Sequence, residues 1–179
     1  MKYSQKLLAV LMLLLFTLSG TAMAQNTKTV HIYGIDQMKY TVTASEKGPG
    51  ITVGKTAQGN MDKKQFILKS ITVQPGQKVH IVLTNNSSLP ASAMSHNWVL
   101  LKNGTDPADF ANASSSAKDH NYIAPKYKDD VIAHTDMTGG GDTSEVTFTA
   151  PSKTGDYTFL CTFPGHFMAG MKGTLTVKK

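Results

Sequence analysis

The sequence predicts an all-β protein, a sandwich or barrel formed by one domain. Three observations carry that expectation. Short runs that alternate apolar with polar residues recur along the chain, Gly, Pro, Asn and Ser cluster between them, and helical spacing of apolar residues is confined to one segment. Alternation of period two gives a strand one buried face, and many such strands separated by turns are the pattern of packed sheets.

The first 24 residues stand apart from this pattern. Lys2 and Lys6 precede an apolar run from Leu7 to Leu18, and Ala22-Met23-Ala24 has the small-x-small form of a cleavage site. Residues 1–24 therefore read as a secretory leader cut before Gln25, which places the mature chain in the periplasm. The run is short for a membrane span. Residues 25–179 then form the single domain, of a length that supports a sizeable core.

Val30-His-Ile-Tyr33 and Lys39-Tyr-Thr-Val-Thr43 are the first expected strands, and a Gly/Lys-rich connection over 44–64 contains a strand-like Ile51-Thr-Val53. Phe66-Ile-Leu68 and Ile71-Thr-Val73 lead to a Pro75-Gly76 turn, after which Lys78-Val-His-Ile-Val-Leu-Thr84 is the clearest alternation of the first half. Asn85-Asn86-Ser87-Ser88 closes it. Asn97-Trp-Val-Leu-Leu101 is a further apolar strand with His96 at its start. The segment 102–128 breaks the pattern: Asp106-Pro107 before Ala108-Asp-Phe-Ala-Asn-Ala113 predicts a short helix capped by Asp106, in an excursion over one sheet edge. Strands at 131–133, 144–149, 156–161 and 173–178 complete the sheets.

Composition narrows the function. Setting aside Lys2 and Lys6 leaves 16 lysines against 12 acidic residues, a net charge of +4, and the chain has no arginine. Scattered lysines without arginine forks make a solvated surface and no nucleic-acid footprint. Asn-x-Ser/Thr triplets at Asn85, Asn86, Asn103 and Asn112 read as coincidence in such a chain. Cys161 is the single cysteine, an unusual choice for an exported protein unless the thiol has a task.

That task is suggested by Cys161-Thr-Phe-Pro-Gly-His166-Phe-Met-Ala-Gly-Met171. The strand at 156–161 ends at the cysteine, and Phe163-Pro164-Gly165-His166 has the residues of a tight turn that returns His166 toward Cys161. Met171 follows where the chain re-enters the sheet. A thiolate, an imidazole and a thioether from one loop, joined by a second imidazole, form the ligand set of a blue-copper centre. His31 and His80 lie inside alternating strands, and His120 and His134 in or beside loops; each has an ordinary surface or packing explanation. His96 differs, because it opens a strand directly after Ala93-Met94-Ser95, where a side chain can point into one end of a sandwich.

Ser95-His-Asn-Trp-Val-Leu100, Cys161-Thr-Phe-Pro-Gly-His166 and Met171-Lys-Gly-Thr-Leu-Thr176, together with Asp36-Gln-Met38 and Val131-Ile-Ala-His-Thr135, resemble in order the azurin branch of the cupredoxins. The resemblance implies a Greek-key cupredoxin fold and one type 1 copper held by His96, Cys161 and His166. It makes Met171 a long axial ligand and the Ser95 carbonyl a weaker contact on the other side. Asn97 would tie the ligand loops together, and Met38, Met94, Phe163, Pro164, Phe167 and Met168 would form an apolar patch around the His166 edge. Three departures are visible: His166-x4-Met171 has one residue more than azurins and matches auracyanin-like loops, Ser95 replaces a glycine, and no second cysteine exists for a disulfide.

The implied function is one-electron transfer by a monomer, with c-type cytochromes or a copper enzyme as partners at the His166 edge. Enzymatic readings leave residues idle: a copper oxidase or nitrite reductase needs a further catalytic copper, and a Cys/His hydrolase has no use for the methionine and second histidine. A copper carrier or store, or a zinc-holding domain, remains the non-redox alternative, although copper(II) outcompetes zinc at such ligands.

Overall fold

The structure is a computed structural model that describes residues 26–59 and 62–179. The expected leader lies outside the described residues. Ten strands follow in order: β1 (Lys28–Ile35), β2 (Lys39–Thr43), β3 (Ile51–Ala57), β4 (Gln65–Val73), β5 (Lys78–Asn85), β6 (Val99–Leu101), β7 (Val131–His134), β8 (Thr143–Thr149), β9 (Gly155–Leu160) and β10 (Lys172–Val177). They form one sheet in the order β7-β6-β9-β10-β4-β2-β1-β5-β8, with β3 paired to β4. The sheet is barrel-like and nearly closed, the all-β architecture the alternation predicts. β1 runs parallel to β5 and β10 parallel to β4, and the other pairs are antiparallel.

Alternation explains the core. On β5, Val79, Ile81, Leu83 and Asn85 are buried while His80, Val82 and Thr84 are half-exposed. Ile32, Leu68, Ile81, Trp98, Phe159 and Leu175 join one cluster from six parts of the chain. Phe159 stands at its centre, its ring 5.5 Å from Trp98 and 5.6 Å from Tyr40. Each such side chain contributes about 1.5–3 kcal/mol by leaving water.

Three elements differ from expectation. The two runs at 66–68 and 71–73 are one strand, β4: Ser70 pairs with both β3 and β10, and Lys69 is the residue passed over at a register shift on β3. The connection after β2 forms a seven-residue β3, bent on β4 by two register shifts. β6 begins at Val99, and the residues before it bond the segment after β7 only at intervals, Trp98 O accepting from Thr135 N–H at 3.0 Å and His96 bridging to Thr138. The helix is where Asp106 and Pro107 place it: α1 (Pro107–Ser115) starts with the Asp106 carboxylate accepting from the N–H groups of Ala108 and Asp109. It lies over a face rather than an edge. Val99, Leu101 and Leu160 point away from the main core, and Phe110, Ala111 and Ile123 cover them as a second cluster.

Truncating the central ring tests this account. Phe159→Ala should cost about 3–5 kcal/mol of unfolding free energy. It should also shift Trp98 emission to the red, since Trp98 is fully buried and its Nε1 has no hydrogen-bond partner among the described residues.

Candidate metal centre

Strand register builds the site. Val99 on β6 pairs with Leu160 on β9, and Leu160 pairs with Lys172 on β10. One residue beyond each pair, the chain leaves the ladder at the same end of the barrel. The segment entering β6 therefore faces the segment leaving β9, and Cys161 faces Met171, whose carbonyl accepts the Cys161 N–H at 3.1 Å.

Within the 161–171 loop, His166 N–H donates to Phe163 O at 3.1 Å, closing the turn expected from Pro164-Gly165. Gly165 has φ 83°, the left-handed conformation that glycine adopts without cost. Met171 N–H then donates to His166 O at 2.9 Å. The main chains of Cys161, His166 and Met171 are thus bonded to one another in sequence.

His96 is held from the opposite side. It exchanges main-chain hydrogen bonds with Thr138, at 3.0 and 2.8 Å. Asn85, at the end of β5, donates its side-chain amide to Met94 O and Thr138 O, each at 2.8 Å. Asn85 is fully buried, so its Asn-x-Ser triplet is structural. Gly34 lies against the imidazole: a Cβ there would come within 2.3 Å of His96 Cδ2.

The side chains converge. Ligand atoms of His96, Cys161 and His166 all lie within 4.8 Å of one another, and among the described residues this is the one such cluster of three. The two Nδ1 atoms are 3.2 Å apart, and Cys161 Sγ is 3.5 Å from His166 Nδ1. His96 and Cys161 are completely buried and His166 is 2% exposed. Met171 is also fully buried and packs in the cluster that contains Cys161 and Phe163. Met168, the other methionine after His166, is 82% exposed and points away into solvent. Ser95 is buried, with its hydroxyl donating to Ala91 O at 2.6 Å.

Asn97 joins the two segments as its position suggests. Its Nδ2 donates to Thr162 Oγ1 at 2.8 Å, and Thr162 N–H returns a bond to Asn97 Oδ1 at 2.9 Å. The N–H groups of Asn97 and Phe163 are directed at the Cys161 sulfur. Tyr40 OH donates to Asn97 O at 2.5 Å. Of the patch residues, Pro164 and Met168 are exposed, Met38 and Phe167 half-buried, and Met94 and Phe163 buried. Leu89, which the sequence did not single out, is 43% exposed on the segment that leads to His96. His31, His80, His120 and His134 lie outside the cluster.

Burial sets the protonation. It lowers His96 to about 3, with the nearby His166 adding to the shift, and lowers His166 to about 4. Burial pushes the Cys161 thiol up to about 12, against the two N–H groups that favour thiolate. Two neutral imidazoles and a thiol, buried together, form a donor set that suits a soft or borderline cation. The cluster fits a single type 1 copper.

A profile of the family described as copper binding proteins, plastocyanin/azurin family, matches residues 52–178. The chain is 42% identical over 127 residues to azurin of Pseudomonas denitrificans, covering 68% of this chain and 94% of that protein. It is 37% identical over 117 residues to auracyanin-B of Chloroflexus aurantiacus, covering 65% of this chain but only 48% of that longer protein. The solved structure of auracyanin A, described as a "blue" copper protein from Chloroflexus aurantiacus, aligns with TM-score 0.62 and 31% identity over 86% of this chain and 100% of that one.

The metal-free protein should show a stability plateau between pH values of about 6.5 and 9. Below about 6.5 the unfolded histidines take up protons that the folded ones refuse until about 4 and 3, so stability falls with pH. Above about 9.0 the unfolded thiol ionises while the folded one waits until about 12, so stability falls again. Melting curves across pH check this. Calorimetry in buffers of different ionisation enthalpy should find one proton released per metal bound at pH 7, from Cys161.

Proposed function

This chain belongs to the plastocyanin/azurin family of copper-binding proteins, and from that we propose that it is a periplasmic electron carrier and not an enzyme. In this reading residues 1–24 are the export leader and residues 25–179 the working domain. His96 Nδ1, Cys161 Sγ and His166 Nδ1 would hold one copper, with the Met171 thioether and the Ser95 carbonyl as weaker contacts. Bound there, copper supplies a one-electron Cu(II)/Cu(I) couple.

The observation that carries the proposal is the convergence of those three donor atoms inside 4.8 Å in a pocket closed to water. The protein's own groups do the rest. Cys161 gives up its proton to bind. The N–H groups of Asn97 and Phe163 stabilise the resulting thiolate and limit its donation, which raises the potential. His166 orients toward the loop surface, with the Phe163 ring at 4.8 Å and Pro164 and Gly165 exposed around it.

That surface suits brief docking of a redox partner such as a c-type cytochrome or a copper enzyme, to a monomer. Among the described residues, the two exposed large apolar side chains, Leu89 and Met168, lie on the two segments that supply His96 and His166. A small apolar contact flanked by polar surface gives complexes that form and separate quickly.

The copper-loaded protein should absorb intensely in the visible through thiolate-to-copper charge transfer and bleach reversibly on addition of one electron per chain. Cys161→Ser should remove the band and leave the fold intact by circular dichroism. A folded wild-type protein that binds one copper and stays colourless would overturn the electron-carrier reading in favour of a carrier or store of the metal.

A further inference from the structure

We propose that Lys39 is a positioning residue for the copper centre: its ammonium latches the extra residue of the 166–171 loop through the Ala169 carbonyl and holds a fixed positive charge beside the site. The inference rests on the electron-carrier reading above and adds a residue outside the ligand set.

Loop hydrogen bonding shows the need for a latch. Ala169 N–H donates to Gly165 O at 3.0 Å, Gly170 N–H to Phe167 O at 2.8 Å and Lys172 N–H to Gly170 O at 3.0 Å, a series of tight turns that folds four residues between His166 and Met171. The Ala169 carbonyl, two residues before Met171, receives the Lys39 ammonium from across the barrel end. Gly170, with φ 92°, lies beside this contact: a Cβ there would sit 3.3 Å from Lys39 Nζ.

The lysine is itself aimed. Met38 closes the β1–β2 hairpin with φ 53°, a conformation costly for a non-glycine residue, and its N–H donates to Ile35 O at 2.8 Å. Lys39 starts β2 directly after it, in register with Ile35. Partial burial and the neighbouring Lys69 charge both work against its protonated form. The Ala169 carbonyl is the group that receives this ammonium. That contact offsets part of the cost, and on reduction the centre would lose one unit of positive charge, a change favoured by a cation held at the carbonyl two residues before Met171.

The test compares wild type with Lys39→Met, Lys39→Gln, Lys39→Arg and Lys69→Met. All should keep the visible charge-transfer band, so a colourless wild type would defeat the electron-carrier reading and not this one alone. In the metal-free proteins, amide hydrogen exchange at Gly170 and Met171 should quicken about tenfold in Lys39→Met and Lys39→Gln, the worth of one charge-assisted hydrogen bond. It should stay at the wild-type rate in Lys39→Arg and Lys69→Met. In the copper proteins, the reduction potential should drop in the two neutral Lys39 variants, hold in Lys39→Arg and drop less in Lys69→Met. Unchanged loop exchange in both neutral Lys39 variants, or a potential shift no larger than that of Lys69→Met, would overturn the proposal.

Discussion

The reciprocal pair of hydrogen bonds between Asn97 and Thr162 is the joint on which the site depends. His96 and Cys161 are separated by more than sixty residues, and no local preference brings them together. The Val99–Leu160 register does so approximately, and Asn97 then fixes the distance by bonding the opposite segment through both ends of its amide. Its N–H faces the Cys161 sulfur and its carbonyl takes the Tyr40 hydroxyl, so every polar group of the residue has a partner. Removing the amide would leave buried donors and acceptors unpaired on both loops, at about 1–3 kcal/mol each.

What the joint assembles is costly to dehydrate. Two imidazole nitrogens 3.2 Å apart and a thiol beside them are dehydrated together, and burial keeps the rings neutral and the sulfur protonated. The surrounding barrel supplies the energy that holds them so. Trp98 directly follows Asn97 and anchors that segment in the core against Phe148 and Phe159, while Thr135 bonds its main chain. Core packing is therefore the source of the site's geometry, and a cation binding there would meet donors already dehydrated and placed.

Much of this was legible in the sequence, and the parts that were not share a physical cause. The alternations gave the strands, Asp106-Pro107 gave the helix start, and Phe163-Pro164-Gly165-His166 gave a turn, because each is determined by neighbours within a few residues. His96 was distinguished only by its place before a strand and by family resemblance, since its pairing with Cys161 is a long-range fact. Thr138, Gly34, Thr162 and Lys39 were not singled out at all. A threonine that mates with a histidine's main chain, a glycine that leaves room for a ring and a lysine that reaches a distant carbonyl have no periodicity or spacing to announce them. The helix was read correctly but placed over an edge, because only the structure shows Val99, Leu101 and Leu160 facing outward and needing cover.

The order in which the site is held also bears on electron transfer. Cys161 is bonded through its N–H to Met171, Met171 to His166, and His96 on both sides to Thr138, all by main-chain hydrogen bonds that exist without a metal. Moving Cys161, His166 or Met171 means breaking a bond that also positions another of the three, and moving His96 means breaking its pair with Thr138, within a core packed too densely to yield in small steps. In the proposed electron carrier, a change of one electron at the centre would therefore meet a frame that keeps its dimensions. Fast transfer at such a site follows from hydrogen bonds between ligands as much as from the ligands' own chemistry, which is why the residues that carry no lone pair to the metal, Asn97 and Thr138 foremost, belong to the functional unit.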